Sequence, residues 1–218
     1  MERFLFDGPA RAARTLVLAH DAGAPMDSPF MNAVARGVGA AGTRVARFEF
    51  PYMRARREDG RKKPPDREPA LCESWHDAIR ALSGKDGPGS LVIGGKSMGG
   101  RIASMVADEA GVAGVVCLGY PFHPPGQPEK LRVAHLEHLK TPGLILQGTR
   151  DAFGTKDEVS RYSLSKNLRV FFLPDGDHSF KPRVSSGRTE EQNLAEAVAL
   201  VTGFLESLRY SYTDPPAG

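Results

Sequence analysis

The chain reads as an α/β fold with a mostly parallel sheet, and two observations predict it. Short β-branched or apolar runs alternate with longer segments of helical periodicity, and the runs are almost continuously apolar rather than alternating. Strand, helix, strand order implies right-handed crossover connections, and continuous apolarity suits strands covered by helices on both faces.

Six runs carry the strand pattern: "TLVLAH" (15–20), "TRVARFEF" (43–50), "SLVIGG" (90–95), "VAGVVCLG" (112–119), "GLILQG" (143–148) and "LRVFFLP" (168–174). "MERFLF" at the start adds a possible edge strand. Ser28 followed by Pro29 is an N-cap with proline at the first helical position, and Phe30, Ala33, Val34, Val38 and Ala41 continue at helical spacing. Leu71, Trp75, Ile79 and Leu82 repeat that spacing, as do Ile102, Met105 and Val106 in a helix from Met98 to about Glu109. Leu194, Val198, Val201, Leu205 and Leu208 mark a last helix, and "SYTDPPAG" (211–218) reads as a disordered tail after a single domain over 1–210.

Composition narrows the function classes. With 40% hydrophobic and 25% charged residues in 218, the chain has the composition of a soluble globular domain. The longest nearly apolar run, Gly111 to Tyr120, is about half of the ~20 residues that a bilayer requires. The opening "MERFLFDGPARAART" lacks the basic, apolar, small order of a secretory signal, so a cytoplasmic protein is expected. Cys72 and Cys117 sit in apolar patterns and read as reduced, buried thiols. Net charge is +3, whereas Arg54–Arg67 alone holds seven basic and three acidic residues. The basicity therefore belongs to one surface loop, and nucleic-acid binding is not the favoured reading.

The stretch "GGKSMGG" (94–100) admits two chemistries. A phosphate-binding loop needs a glycine five residues before the one preceding its lysine, and that position is Ser90. Leu91, Val92 and Ile93 are strand residues, so no chain remains to wrap a phosphate, and a nucleotide with magnesium is set aside. The Gly-x-Ser-x-Gly reading fits its surroundings: a strand ends, Ser97 follows, and a helix begins at once.

A serine hydroxyl becomes a useful nucleophile when a histidine takes its proton and a carboxylate orients that histidine. Asp151 lies just beyond "GLILQG" and His178 just beyond "LRVFFLP", so three strand ends supply serine, acid and base in the order such sheets use. Asp157, Asp175 and Asp177 are alternatives for the acid. His20, His76, His123, His135 and His138 compete for the base, with His76, His135 and His138 read as surface residues. Two backbone donors for an oxyanion are expected: the N–H of Met98, and that of Ala22 in "HDAGAP", with Gly23 allowing close approach. Lys96 is read as a solvent-facing bystander, and no metal or cofactor is called for.

"HDAGAPMDSPFM" (20–31), "FEFPYM" (48–53), "GGKSMGGR" (94–101), "GYPFHPPG" (119–126) and "QGTRDAFG" (147–154) together resemble the α/β hydrolases, in particular their small dienelactone-hydrolase-like members. Within these, the motifs look like the branch that includes a testis-expressed protein and a subunit of a nuclear histone-acetyltransferase complex. The similarity spans about residues 13 to 208. It implies an α/β-hydrolase fold, with Ser97, Asp151 and His178 as a triad, Ala22 and Met98 at the oxyanion hole, and Tyr120 and His123 near the pocket. Asp21 stands where the family usually has glycine, and a carboxylate there would oppose the developing charge.

With about two dozen residues between Gly119 and Gly143, no large cap is expected. The expected function is a serine hydrolase for a small carboxylic ester or thioester. The alternative is a scaffold of the same fold that holds an anionic partner on residues 54–67.

Overall fold

The computed structural model describes residues 4–210. The expected tail at 211–218 lies outside the described residues. Seven strands form one sheet: β1 (Leu5–Asp7), β2 (Thr15–Ala19), β3 (Arg44–Phe48), β4 (Leu91–Lys96), β5 (Gly114–Leu118), β6 (Gly143–Gly148) and β7 (Leu168–Leu173). Their order is β1-β3-β2-β4-β5-β6-β7, with β1 antiparallel to β3 and every other pair parallel. The main helices are α1 (Pro29–Ala40), α2 (Pro51–Asp59), α3 (Glu68–Ser83), α4 (Met98–Ala110) and α7 (Glu190–Tyr210), with one-turn helices α5 (Ala134–Glu137) and α6 (Lys156–Val159).

Continuous apolarity in the strands has the expected cause. Alternate side chains of each central strand enter two separate cores, because helices cover both faces. Val17, Ile93, Val115 and Ile145 pack with Trp75 and Ile79 of α3 and Ile102 and Val106 of α4. Leu16, Leu18, Val92, Val116 and Leu144 pack with Val34 and Val38 of α1 and Val201 and Leu205 of α7. Helix α1 starts as its sequence predicts, with Ser28 Oγ accepting the Met31 N–H at 3.4 Å and proline in the first turn. No cap domain is inserted between β5 and β6.

One expectation fails. The first half of the basic segment is helix, not loop: α2 runs through Arg54, Arg56 and Arg57, with proline in its first turn and Gly60 as a left-handed C-cap. Arg57 folds back onto Glu49 (2.5 Å) and Asp27 (2.7 Å), so its charge is spent on tying α2 to the end of β3.

Candidate active site

The site forms where β2, β4, β6 and β7 end. Ser97 is the residue between β4 and α4, with φ 50° and ψ −115°, a backbone that a non-glycine residue holds only under constraint. The flanking glycines are required by space, and Gly95 also holds a φ of 157° that other residues rarely adopt. A Cβ on Gly95 would lie 2.1 Å from the Ala19 carbonyl oxygen, and one on Gly99 2.5 Å from the same atom. The turn is thus pressed against the end of β2, and only hydrogen fits at either position.

Ser97 Oγ lies 2.8 Å from His178 Nε2, and His178 Nδ1 lies 2.8 Å from Asp151 Oδ2. A carboxylate can only accept, so Nδ1 carries the proton and Nε2 is free to accept the serine hydroxyl. Asp151 is fully buried and further fixed by two donors, the Phe153 N–H on Oδ1 (2.9 Å) and Gln147 Nε2 on Oδ2 (2.9 Å). His178 Nδ1 meets Asp151 and not Asp157, and the other two aspartates considered for this place are engaged elsewhere. Asp175 holds Arg183, whose hydrogen bonds pull its carboxyl down to about 2, and Asp177 caps the N–H groups of Ser179 and Lys181. His20 is buried, with Nδ1 2.6 Å from the Asp21 carbonyl and Nε2 accepting the Phe50 N–H. Burial lowers its pKa, so it stays neutral and structural.

Two residues of this network escape the sequence reading. Gln147 is the penultimate residue of β6 and is fully buried. Its Oε1 accepts the Tyr120 N–H (2.8 Å), while Nε2 donates to Asp151, to the Tyr120 carbonyl and to the Gly154 carbonyl. The signal was present as the one amide in an otherwise apolar strand. Lys96 is the second, and it overturns the expectation of a solvent-facing bystander. It is 2% exposed, and its Nζ donates to the His178 carbonyl oxygen at 2.6 Å while sitting 5.4 Å from the Phe30 ring centroid. Burial pushes its pKa down to about 8, with Asp21, Asp151 and Asp177 opposing that shift from a distance. Lys96 joins the serine turn to the histidine loop across the sheet edge.

The loop after β2 is held by its own residues. Asp21 Oδ1 accepts the N–H groups of Gly23 (2.6 Å) and Ala24 (2.7 Å), and the Tyr52 hydroxyl donates to the carbonyls of Asp21 and Ala22. The Asp21 carboxylate is therefore turned onto its own loop. The N–H groups of Ala22 and Met98 make no hydrogen bond to another described residue.

A cleft of about 460 Å³ opens over Ser97, bordered by Ala22, Leu71, Met98, Pro121 and Phe153. Gly23 borders an adjoining groove that shares Ala22 and Pro65 with this cleft. Tyr120 and His123 do not border the cleft. Tyr120 is buried with its hydroxyl on the Arg132 carbonyl, and His123 is buried with Nδ1 2.9 Å from the Pro124 carbonyl. Pro121, between them, faces the opening instead. His135 also departs from its expected surface role: it meets Ser104 Oγ at 2.9 Å, and burial pushes its pKa down to about 4. Among the described residues, no cluster of side chains has metal-ligating geometry, and no helix is long and apolar enough to cross a membrane.

Residues 12–206 match the family described as alpha/beta hydrolase domain. The chain belongs to that family. Among solved structures, the fold is similar to an alpha-beta serine hydrolase homologue from Coxiella burnetii (TM-score 0.70, 18% identity, 93% of this chain and 90% of that one). It is similar also to a dienelactone hydrolase from Anabaena variabilis (TM-score 0.71, 22% identity, 94% and 91%). Est1E from Butyrivibrio proteoclasticus, determined with ferulic acid bound, superposes with TM-score 0.71 at 13% identity over 96% of each chain. At these identities the likeness is one of fold, and the chemistry has to be argued from the side chains.

Proposed function

We propose that the protein is a serine hydrolase that cleaves small carboxylic esters or thioesters through an acyl-enzyme on Ser97. The observation that carries this reading is the unbroken hydrogen-bonded series Ser97 Oγ, His178, Asp151, mounted on a strained serine turn. His178 Nε2 takes the hydroxyl proton as Oγ attacks the carbonyl carbon, and the buried Asp151 carboxylate holds the ring and stabilises its transient positive charge. The N–H groups of Ala22 and Met98 receive the oxyanion. His178 then gives its proton to the departing alkoxide or thiolate, and water, activated by the same imidazole, releases the acid.

The absence of a cap favours small or surface-accessible acyl groups, and the neighbours include a dienelactone hydrolase and Est1E, which was determined with ferulic acid bound. Membership of the branch with the testis-expressed and histone-acetyltransferase-complex proteins, and a cytoplasmic setting that keeps Cys72 and Cys117 as free thiols, belong to this proposal. A scaffold of the same fold would have no use for the strained backbone at Ser97. The test is covalent labelling with a fluorophosphonate: wild type labels, and Ser97→Ala does not. A wild-type chain that is folded yet unlabelled would sink the reading.

A further inference from the structure

Two arginines border the cleft over Ser97, and their donors are not used up. Arg101, one turn into α4, gives Nη2 to Glu68 Oε2 at 2.6 Å, but its Nε is buried with no acceptor. Arg132 is anchored through its backbone: its N–H donates to the Phe122 carbonyl (2.8 Å), and the Tyr120 hydroxyl donates to its own carbonyl (2.8 Å). Its guanidinium has neither a carboxylate partner nor a hydrogen-bond acceptor among the described residues. Burial and the neighbouring Arg101 charge push the Arg132 pKa below the usual arginine range. A half-buried cation beside a second cation is an unfavourable arrangement on its own, and it is relieved by an anion placed against both.

Neither carboxylate of the cleft pairs with Arg132. Glu68 is taken by Arg101, and Asp66 Oδ2 accepts the Tyr52 N–H at 3.0 Å. Beyond the shared edge at Ala22 and Pro65, the adjoining groove adds Arg56 and Lys62, neither of which is paired with a carboxylate, and Lys63, which is paired with Asp59. Counted together, Arg101, Arg132, Arg56, Lys62 and Lys63 outnumber Asp66, Glu68 and the Asp59 that pairs with Lys63, so this end of the cleft favours a negative ligand, while Leu71, Met98, Pro121 and Phe153 suit a short aliphatic segment between that charge and Ser97.

Resting on the serine-hydrolase reading above, we propose that Arg101 and Arg132 form a subsite for a free carboxylate carried by the substrate. The preferred compounds are then half-esters or half-thioesters of short dicarboxylic acids. The free carboxylate takes no part in bond making. It accepts from the Arg132 fork, with the Arg101 guanidinium as a second positive charge at the cleft wall, and so fixes which carbonyl reaches Ser97.

The experiment compares mono-4-nitrophenyl glutarate with 4-nitrophenyl valerate, which share acyl length and leaving group. Wild type is expected to favour the charged ester in kcat/KM. Arg132→Met and Arg132→Gln are expected to lower the charged-to-neutral ratio by about 10- to 100-fold, with Arg132→Lys in between. Turnover of the neutral ester without preference for the charged one, or a ratio unmoved by the Arg132 variants, would overturn the subsite while leaving the hydrolase reading intact. Failure on both esters by a chain that also resists fluorophosphonate would overturn the two together.

Discussion

Replacing Lys96 by methionine separates burial cost from function at the serine turn. A fall from the ordinary lysine value of 10.5 to about 8 means that the folded state disfavours the ammonium by about 3 kcal/mol. The unfolded chain binds more protons between those two values, so stability rises with pH across that window. The penalty is present in full below about pH 8 and is lifted as pH approaches 10.5. Lys96→Met keeps the length of the side chain and removes this titration. It also removes the Nζ hydrogen bond to the His178 carbonyl, a loss of roughly 1.5–3 kcal/mol for a charge-assisted bond. The two effects oppose each other, so at pH 7 the variant should lie within about 2 kcal/mol of wild type. Between pH 7 and 9.5 wild type should gain about 2 kcal/mol relative to the variant. Urea unfolding at pH 7, 8.5 and 9.5 reads this directly, and the buried Cys117, Tyr52 and Tyr120 cancel because both proteins contain them. Because the histidine loop loses its tie to the serine turn, kcat/KM for a neutral ester should also fall about 10- to 100-fold. Parallel stability curves for the two proteins would refute the buried ammonium.

Asp151→Asn should lower kcat by about 10³–10⁴-fold, because an amide no longer fixes the Nδ1–H tautomer. Its NH2 would also face one of the donors now held by the two Asp151 oxygens, so stability should fall by about 1–3 kcal/mol, and a drop of less than tenfold in ester turnover by the folded variant would contradict the assigned role. Gly99→Ala should destabilise by about 1–3 kcal/mol or more, since its Cβ would meet the Ala19 and His20 carbonyl oxygens at 2.5 and 2.6 Å, whereas Gly89→Ala, with nothing within 4 Å, should leave the urea midpoint unchanged.

The sheet was legible because its strands announce themselves as apolar runs. All six of those runs contain strands, and the short β1 overlaps the end of "MERFLF", whose first three residues lie outside the described residues. The serine turn was legible because strand, glycine and helix signals coincide within a few residues. Helix α2 was not: it buries only Tyr52 and Met53, so its charge hides its periodicity. Lys96 was misread because a lysine is assigned to solvent by default, although every residue of the central strand it closes is buried. Tyr120 and His123 show a different limit. Position after a strand end places a residue near the cleft, but whether its side chain enters is decided by packing, here by the pull of Gln147 and Arg132 on Tyr120. Arg132 was passed over for a related reason, since an arginine in a loop reads as solvated until its partners, or their absence, are known.

The proposed hydrolysis requires Ser97 to be the group that becomes acylated. Peptide mapping by mass spectrometry of the fluorophosphonate-treated chain tests it most directly. A single adduct is expected on the peptide carrying Ser97, lost in Ser97→Ala and strongly slowed in His178→Ala. An adduct on another residue, or a folded wild-type chain without any, would contradict it.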